Sequence, residues 1–282
     1  MNEYVTDSVP GFAEPLSSWS HLAGAAVFAL LTIPLLRVAS ASDSAAGGGR
    51  TRTLSVGIFA VSAIFLLCVS GLYHSLPFAS PSRALMLRLD YLAIFLLIAG
   101  TFTPTCSIML DGNHGRTMLT AIWGVAVLGI VITWFFPAWI PNRWNFAIYL
   151  AIGWLGAPGA RTASRRYGLS LVEPLLLGGA AYTAGAAFVL AGRPQLIPGV
   201  LGPHELFHMA VLIGIGCHWI FVWRLADGQW ADDMALPAAI QQFLHPTDDA
   251  ATMVPLPVVE NVPVVENVPV VEKEQGSYVA RQ

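Results

Sequence analysis

The sequence predicts an all-α, polytopic membrane protein, a seven-transmembrane helix bundle followed by a disordered C-terminal tail. Three observations lead there. Of 282 residues, 55% are hydrophobic and only 11% charged, where a water-soluble domain carries roughly 25% charged residues. Seven apolar runs, at 19–39, 54–76, 88–110, 117–136, 144–160, 170–191 and 204–223, match or approach the ~20 residues that cross a bilayer as a helix. Helix breakers fill the connectors between them. Hydrocarbon offers backbone groups no hydrogen-bond partner, so only helices or closed barrels cross it, and these runs are too continuously apolar for barrel strands.

Taken in order, the first span follows MNEYVTDSVPGFAEP, and no Lys or Arg precedes Arg37. It therefore lacks the positive flank of a secretory signal and is expected to stay in the mature protein. GGGR at 47–50 leads into the second span, PFASPSR at 77–83 into the third and the loop DGNHGR at 111–116 into the fourth. The fifth is the shortest and contains Pro158, a helix breaker near its end. In the sixth, GGAAYTAGAA at 178–187 supplies the small residues that let membrane helices approach closely, and GRPQLIPG at 192–199 separates it from the seventh. Beyond Arg224 the composition turns polar and enters PLPVVENVPVVENVPVVEK, whose prolines at 255, 257, 263 and 269 forbid a regular helix and predict a solvated, extended tail. The organisation is thus an N-terminal segment 1–18, a membrane domain 19–224 and a tail 225–282. Tryptophans such as Trp19, Trp139, Trp144 and Trp223 fall near span ends, as in an interfacial belt.

Function classes narrow by exclusion. The net charge of −3 is small and forms no basic stripe, so no nucleic-acid partner is expected; the partner implied is membrane lipid. Cys68, Cys106 and Cys217 all lie within apolar runs, form no C-x-x-C pair and read as buried small hydrophobes.

Ionisable residues inside a membrane cost roughly 2.5–3.5 kcal/mol each on insertion scales, which makes them functional candidates. His21 opens the first span, His74 closes the second, Asp90 opens the third, and His204 with His208 opens the seventh. Antiparallel neighbours alternate direction, so these five residues share one layer. His218 lies ten residues past His208, about 15 Å deeper. His114 and His245 fall on surface segments. His204 and His208 are i and i+4, on one helical face, and Ser70 and His74 repeat that spacing. Three imidazoles converging from two helices, with a fourth position open, have the composition of a catalytic zinc centre. Asp90 is placed to orient water or accept its proton, or else to pair with Arg83 or Arg88 at the surface; Ser70 is placed to donate a hydrogen bond beside it.

HELFH at 204–208 also matches the zinc-protease pattern H-E-x-x-H. A protease draws a further ligand from downstream, and the next histidine, His218, lies too far along the same helix. Glu205 reads instead as a helix-start residue beside the positive end of the dipole.

Together, SGLYHSLP, LRLDYLAIFLLIAGTFTP, GGAAYTAGA and HELFHMAVLIGIGCHW resemble, over residues 14–224, the hemolysin III family. That family is the bacterial branch of a seven-helix group that includes the adiponectin and progestin receptors, more distantly related to alkaline ceramidases. The resemblance implies a multi-pass protein of the bacterial plasma membrane, with zinc held by His74, His204 and His208 and with Ser70 and Asp90 beside it. It implies hydrolysis of lipid amides or esters. Ser17, Pro203 and Tyr91 depart from the pattern around the site and leave the metal ligands standing. Two further readings accompany the hydrolase: a receptor or sensor with structural zinc, and a pore-forming, hemolysin-like protein. Arginines 37, 50, 52, 116, 161, 165 and 166 against 83, 88, 143 and 193 favour an N-terminus outside the cell; the resemblance to the receptors implies the reverse.

Overall fold

The computed structural model describes residues 12–47, 49–110, 112–136 and 142–228. The tail after 228, with His245, and Trp139 lie outside the described residues. The described elements are α1 (Pro15–Ala45), α2 (Thr51–Ser75), α3 (Arg83–Pro104), α4 (Gly112–Phe135), α5 (Asn142–Trp154), α6 (Ala157–Tyr167), α7 (Leu169–Ala191) and α8 (Pro203–Asp227). Six of the seven expected spans are single helices long and apolar enough to cross a membrane. Their outward faces confirm the solvent: Leu30 is 71% and Phe135 67% exposed, an arrangement stable only where those side chains meet hydrocarbon.

The fifth span is built differently, from α5 and α6. Thirteen residues make α5 only about 20 Å long, short of the ~30 Å hydrocarbon core. Its last turn tightens into bonds from Leu155 and Gly156 to the carbonyls of Ile152 and Gly153, and Pro158 then occupies the first turn of α6, where its missing N–H costs nothing. At the end of α3 the chain passes through Pro104 into a π-helical turn, Thr105–Met109. The segment DGNHGR, expected as a loop, instead opens α4 from Gly112, with His114 exposed as expected.

Packing around α1, α2 and α8 forms the main core, in which Phe59, Leu67, Ile215 and Phe221 are fully buried. A second cluster joins α3, α4 and α5 through Phe95, Ile122 and Tyr149. Helix α7 lies tightly on α8. A Cβ added at Gly185 would stand 2.6 Å from the Ala210 Cβ, and one at Gly178 would stand 2.4 Å from the His218 ring. The small residues of α7 thus do what the sequence suggested. Cys106 is buried, whereas Cys68 and Cys217 are only partly so, and all three are free thiols.

A polar clasp closes the end of the bundle where α1 meets α2. Asp43, itself buried, accepts the backbone N–H groups of Arg52 and Thr53 at 3.1 and 2.9 Å and the Thr53 hydroxyl at 2.8 Å. It thereby caps the otherwise unpaired amides at the start of α2. Ser42 donates to the carbonyl of Asp227 and Arg52 to that of Leu225, which draws the end of α8 into the same clasp.

Three variants test this packing by thermal unfolding in detergent. Gly185→Ala is expected to lose about 1–3 kcal/mol, while Gly124→Ala, where an added Cβ meets nothing within 4 Å, is expected to lose no stability. Asp43→Ala is expected to lose about 0.5–2 kcal/mol through the uncapped α2.

Candidate metal centre

Local structure places three histidines at one end of the bundle. The chain enters α8 through Gly202, with Pro203 in the first helical position. Glu205, almost fully buried, accepts the Gly202 N–H at 3.0 Å. This is the helix-start role expected of Glu205, and it fixes where the first turns of α8 begin. His204 and His208 project from those turns towards His74, the penultimate residue of α2 and only 2% exposed.

The ring nitrogens converge. His208 Nε2 lies 3.1 Å from His204 Nε2, which lies 3.4 Å from His74 Nε2. One nitrogen from each of the three can be chosen so that all lie within 4.8 Å of one another. In a tetrahedral site with metal–nitrogen bonds of about 2.0–2.1 Å, neighbouring ligand atoms are about 3.3 Å apart. The donor set and spacing therefore fit a divalent metal ion, and among the described residues no other cluster of His, Cys, Asp or Glu does so.

A residue the sequence reasoning missed supports this arrangement. Glu14, just before α1, places Oε2 2.8 Å from His74 Nδ1, and its own N–H donates to the His74 carbonyl at 3.0 Å. A carboxylate on one ring nitrogen fixes the tautomer and turns the lone pair of the other towards the metal position. Arg83 donates to the same carboxylate oxygen. The Arg83 guanidinium also donates to the carbonyls of Tyr73 and Leu76 and lies 4.5 Å from the centre of the Tyr73 ring. Burial alone would push the Glu14 carboxyl up, but the hydrogen bonds it accepts from His74 and Arg83 outweigh it and hold the carboxyl at about 2. Glu14 thus stays ionised at physiological pH. The available signal was its position seven residues before His21, two helical turns, in the layer that holds the histidines.

The remaining candidates take distinct places. His21 is buried and stacks on His208 with ring centres 4.0 Å apart, its Nε2 3.4 Å from the His208 carbonyl oxygen. Asp90 stands outside the three-nitrogen group and, like Ser70, lines the cavity beneath it. Arg83, one surface partner considered for Asp90, is engaged by Glu14 instead. His218 does not join the centre and approaches the Leu175 carbonyl at 3.2 Å.

These groups head a cavity of about 400 Å³ lined by Ser70, His74, Asp90, His204 and His208, then by mostly apolar side chains. Along α3 and into the π-helical turn its wall runs from Leu87 to Thr105, about 27 Å at 1.5 Å per residue. Its volume falls in the range of small-molecule sites.

The structure makes Glu14 testable apart from the ligands. Glu14→Ala is expected to weaken metal binding about 10- to 100-fold. Glu14→Gln, which keeps an acceptor for Nδ1, is expected to lose less. Competitive chelator titration of the purified variants reads both.

A sequence model of the family described as "Haemolysin-III related" matches residues 12–219. Hemolysin-3 of Bacillus cereus is 32% identical over 189 residues, covering 66% of this chain and 81% of that protein. Hemolysin-3 homolog of Bacillus subtilis (strain 168) is 34% identical over 185 residues, covering 66% and 83%. Heptahelical transmembrane protein 1 of Arabidopsis thaliana is 27% identical over 241 residues, covering 78% and 70%. The family match runs from before Glu14 to beyond His208, so it takes in every residue of the centre, and this multi-pass membrane protein belongs to the haemolysin-III related family.

Proposed function

We propose that the protein is a zinc-dependent hydrolase of lipid amides or esters that works inside the membrane. The observation that carries this reading is three imidazole nitrogens converging at the head of an apolar cavity. His74, His204 and His208 would hold the ion, whose chemistry when bound is to polarise a carbonyl and to lower the pKa of water towards 7. The apolar walls along α3 receive the acyl chain and exclude bulk water. Glu14 holds His74 in the ligating tautomer. Asp90, positioned by Ser70, takes a proton from the attacking water and returns it to the leaving nitrogen or oxygen as the carbonyl carbon–heteroatom bond breaks.

One feature favours a second reading, a receptor or sensor with structural zinc: the three histidines come from α2 and α8, so a metal would tie two helices together. The name of the Bacillus relatives raises a lytic role, but the cavity offers no stripe of charge of the kind that lines a water-filled pore.

Elemental analysis of detergent-purified protein, paired with turnover of fluorogenic lipid amides and esters, separates these readings. The wild type is expected to hold about one zinc per chain, His208→Ala to lose it, and Asp90→Asn to keep it while turnover falls at least ~100-fold. Zinc-loaded protein that turns over none of these substrates, yet unfolds at lower temperature after chelation, would establish the structural role instead.

A further inference from the structure

Asn145 is a polar cavity residue that the proposed chemistry leaves unused. It stands in the first turn of α5, is 5% exposed and lines the cavity. No hydrogen bond to a described residue engages its carboxamide. A neutral amide left unpaired among membrane helices is costly and calls for a partner that comes and goes.

Two contacts fix where this amide stands. Phe146, the next residue, packs edge-on against Phe207 with ring centres 5.2 Å apart, and Phe207 immediately precedes His208. One turn further along α5, Tyr149 donates its hydroxyl to the carbonyl of Tyr91 at 3.2 Å, and Tyr91 immediately follows Asp90. Asn145 and Tyr149 are i and i+4 on one face of α5. The helix is thus pinned to α8 beside the histidines and to α3 beside Asp90, and it carries Asn145 to the head of the cavity between them. Of the other polar residues that line the cavity, His74 is already engaged by Glu14.

We propose that Asn145 is a specificity-determining residue that accepts the N–H of a lipid amide through Oδ1 and makes the site prefer amides over esters. This rests on the hydrolase reading of the same cavity. With the substrate carbonyl directed at the three histidines, the N–H of a trans amide points the opposite way and needs an acceptor of its own. An ester places only a weakly accepting oxygen there and leaves Asn145 unpaired. A site built around such a bond discriminates against the analogue that lacks it.

The test compares palmitoyl propylamide with propyl palmitate, which differ only by NH against O. Binding to the zinc-loaded full-length protein is followed in the cold by tryptophan fluorescence, for wild type, Asn145→Leu and Asn145→Ala. Wild type is expected to bind the amide about tenfold more tightly, and both variants to bind the two ligands equally with unchanged zinc content. Leucine keeps the volume and alanine removes it, so a folding defect in one leaves the other to decide. A wild type with no preference, or variants that retain it, would overturn the assignment. Turnover of both lipids in the same samples tests the underlying reading separately: preference without turnover removes the hydrolase and leaves Asn145 as an amide-recognising residue, whereas turnover without preference removes only the role of Asn145.

Discussion

Hydrocarbon supplies no hydrogen bonds, and the hydroxyl and carboxylate groups of the described helices are arranged around that fact. The backbone answers it with helices. Hydroxyl side chains within the spans turn back on the preceding turn: Thr32, Thr101, Thr103, Thr133 and Thr183 each donate to the carbonyl four residues earlier. That solution serves a side chain with one proton to place. It does not serve an imidazole, whose two nitrogens leave the ring in different directions. His21, His74, His204 and His208 are gathered at the end of the bundle on which α1 begins, α2 ends and α8 begins, where Glu14 reaches His74, while His218 meets the Leu175 carbonyl instead.

Helix α1 is held at both ends by carboxylates that act on other elements. Near its last turn, Asp43 caps α2; just before its first, Glu14 orients His74 and engages Arg83. Between them, Ser18 donates to the Gly71 carbonyl at 2.8 Å, one turn before His74. The first helix, which contributes no nitrogen to the three-histidine group, thus sets the register of α2, which contributes one. Across the bundle, close contact at Gly178 and Gly185 holds α7 on α8 and steadies the helix that contributes the other two.

Much of this was legible in the sequence, for reasons specific to each residue. The i, i+4 spacing of His204 and His208 decides that they share a face. The alternation of span direction then brings His74 to their level with no knowledge of packing. Pro158 marked the fifth span as the irregular one, although the stop at Leu155 and Gly156 depends on turn geometry that composition does not reveal. Glu14 escaped notice because its partner lies 60 residues away, and nothing local in AEPLSS announces a contact with the end of α2. Asn145 was illegible for a related reason. The rotation of α5 about its axis is set by Phe146 on Phe207 and Tyr149 on Tyr91, and those contacts exist only in the folded bundle.

The central claim is that three imidazoles within a membrane bundle form a metal centre with a position left for chemistry. X-ray absorption at the zinc edge of the purified, full-length protein tests it most directly. The account predicts four nitrogen or oxygen neighbours at about 2.0–2.1 Å, with the outer-shell scattering of three imidazoles, and its loss in His74→Ala. A sulfur neighbour at about 2.3 Å, or a spectrum unchanged in His74→Ala, would place the metal elsewhere and contradict it.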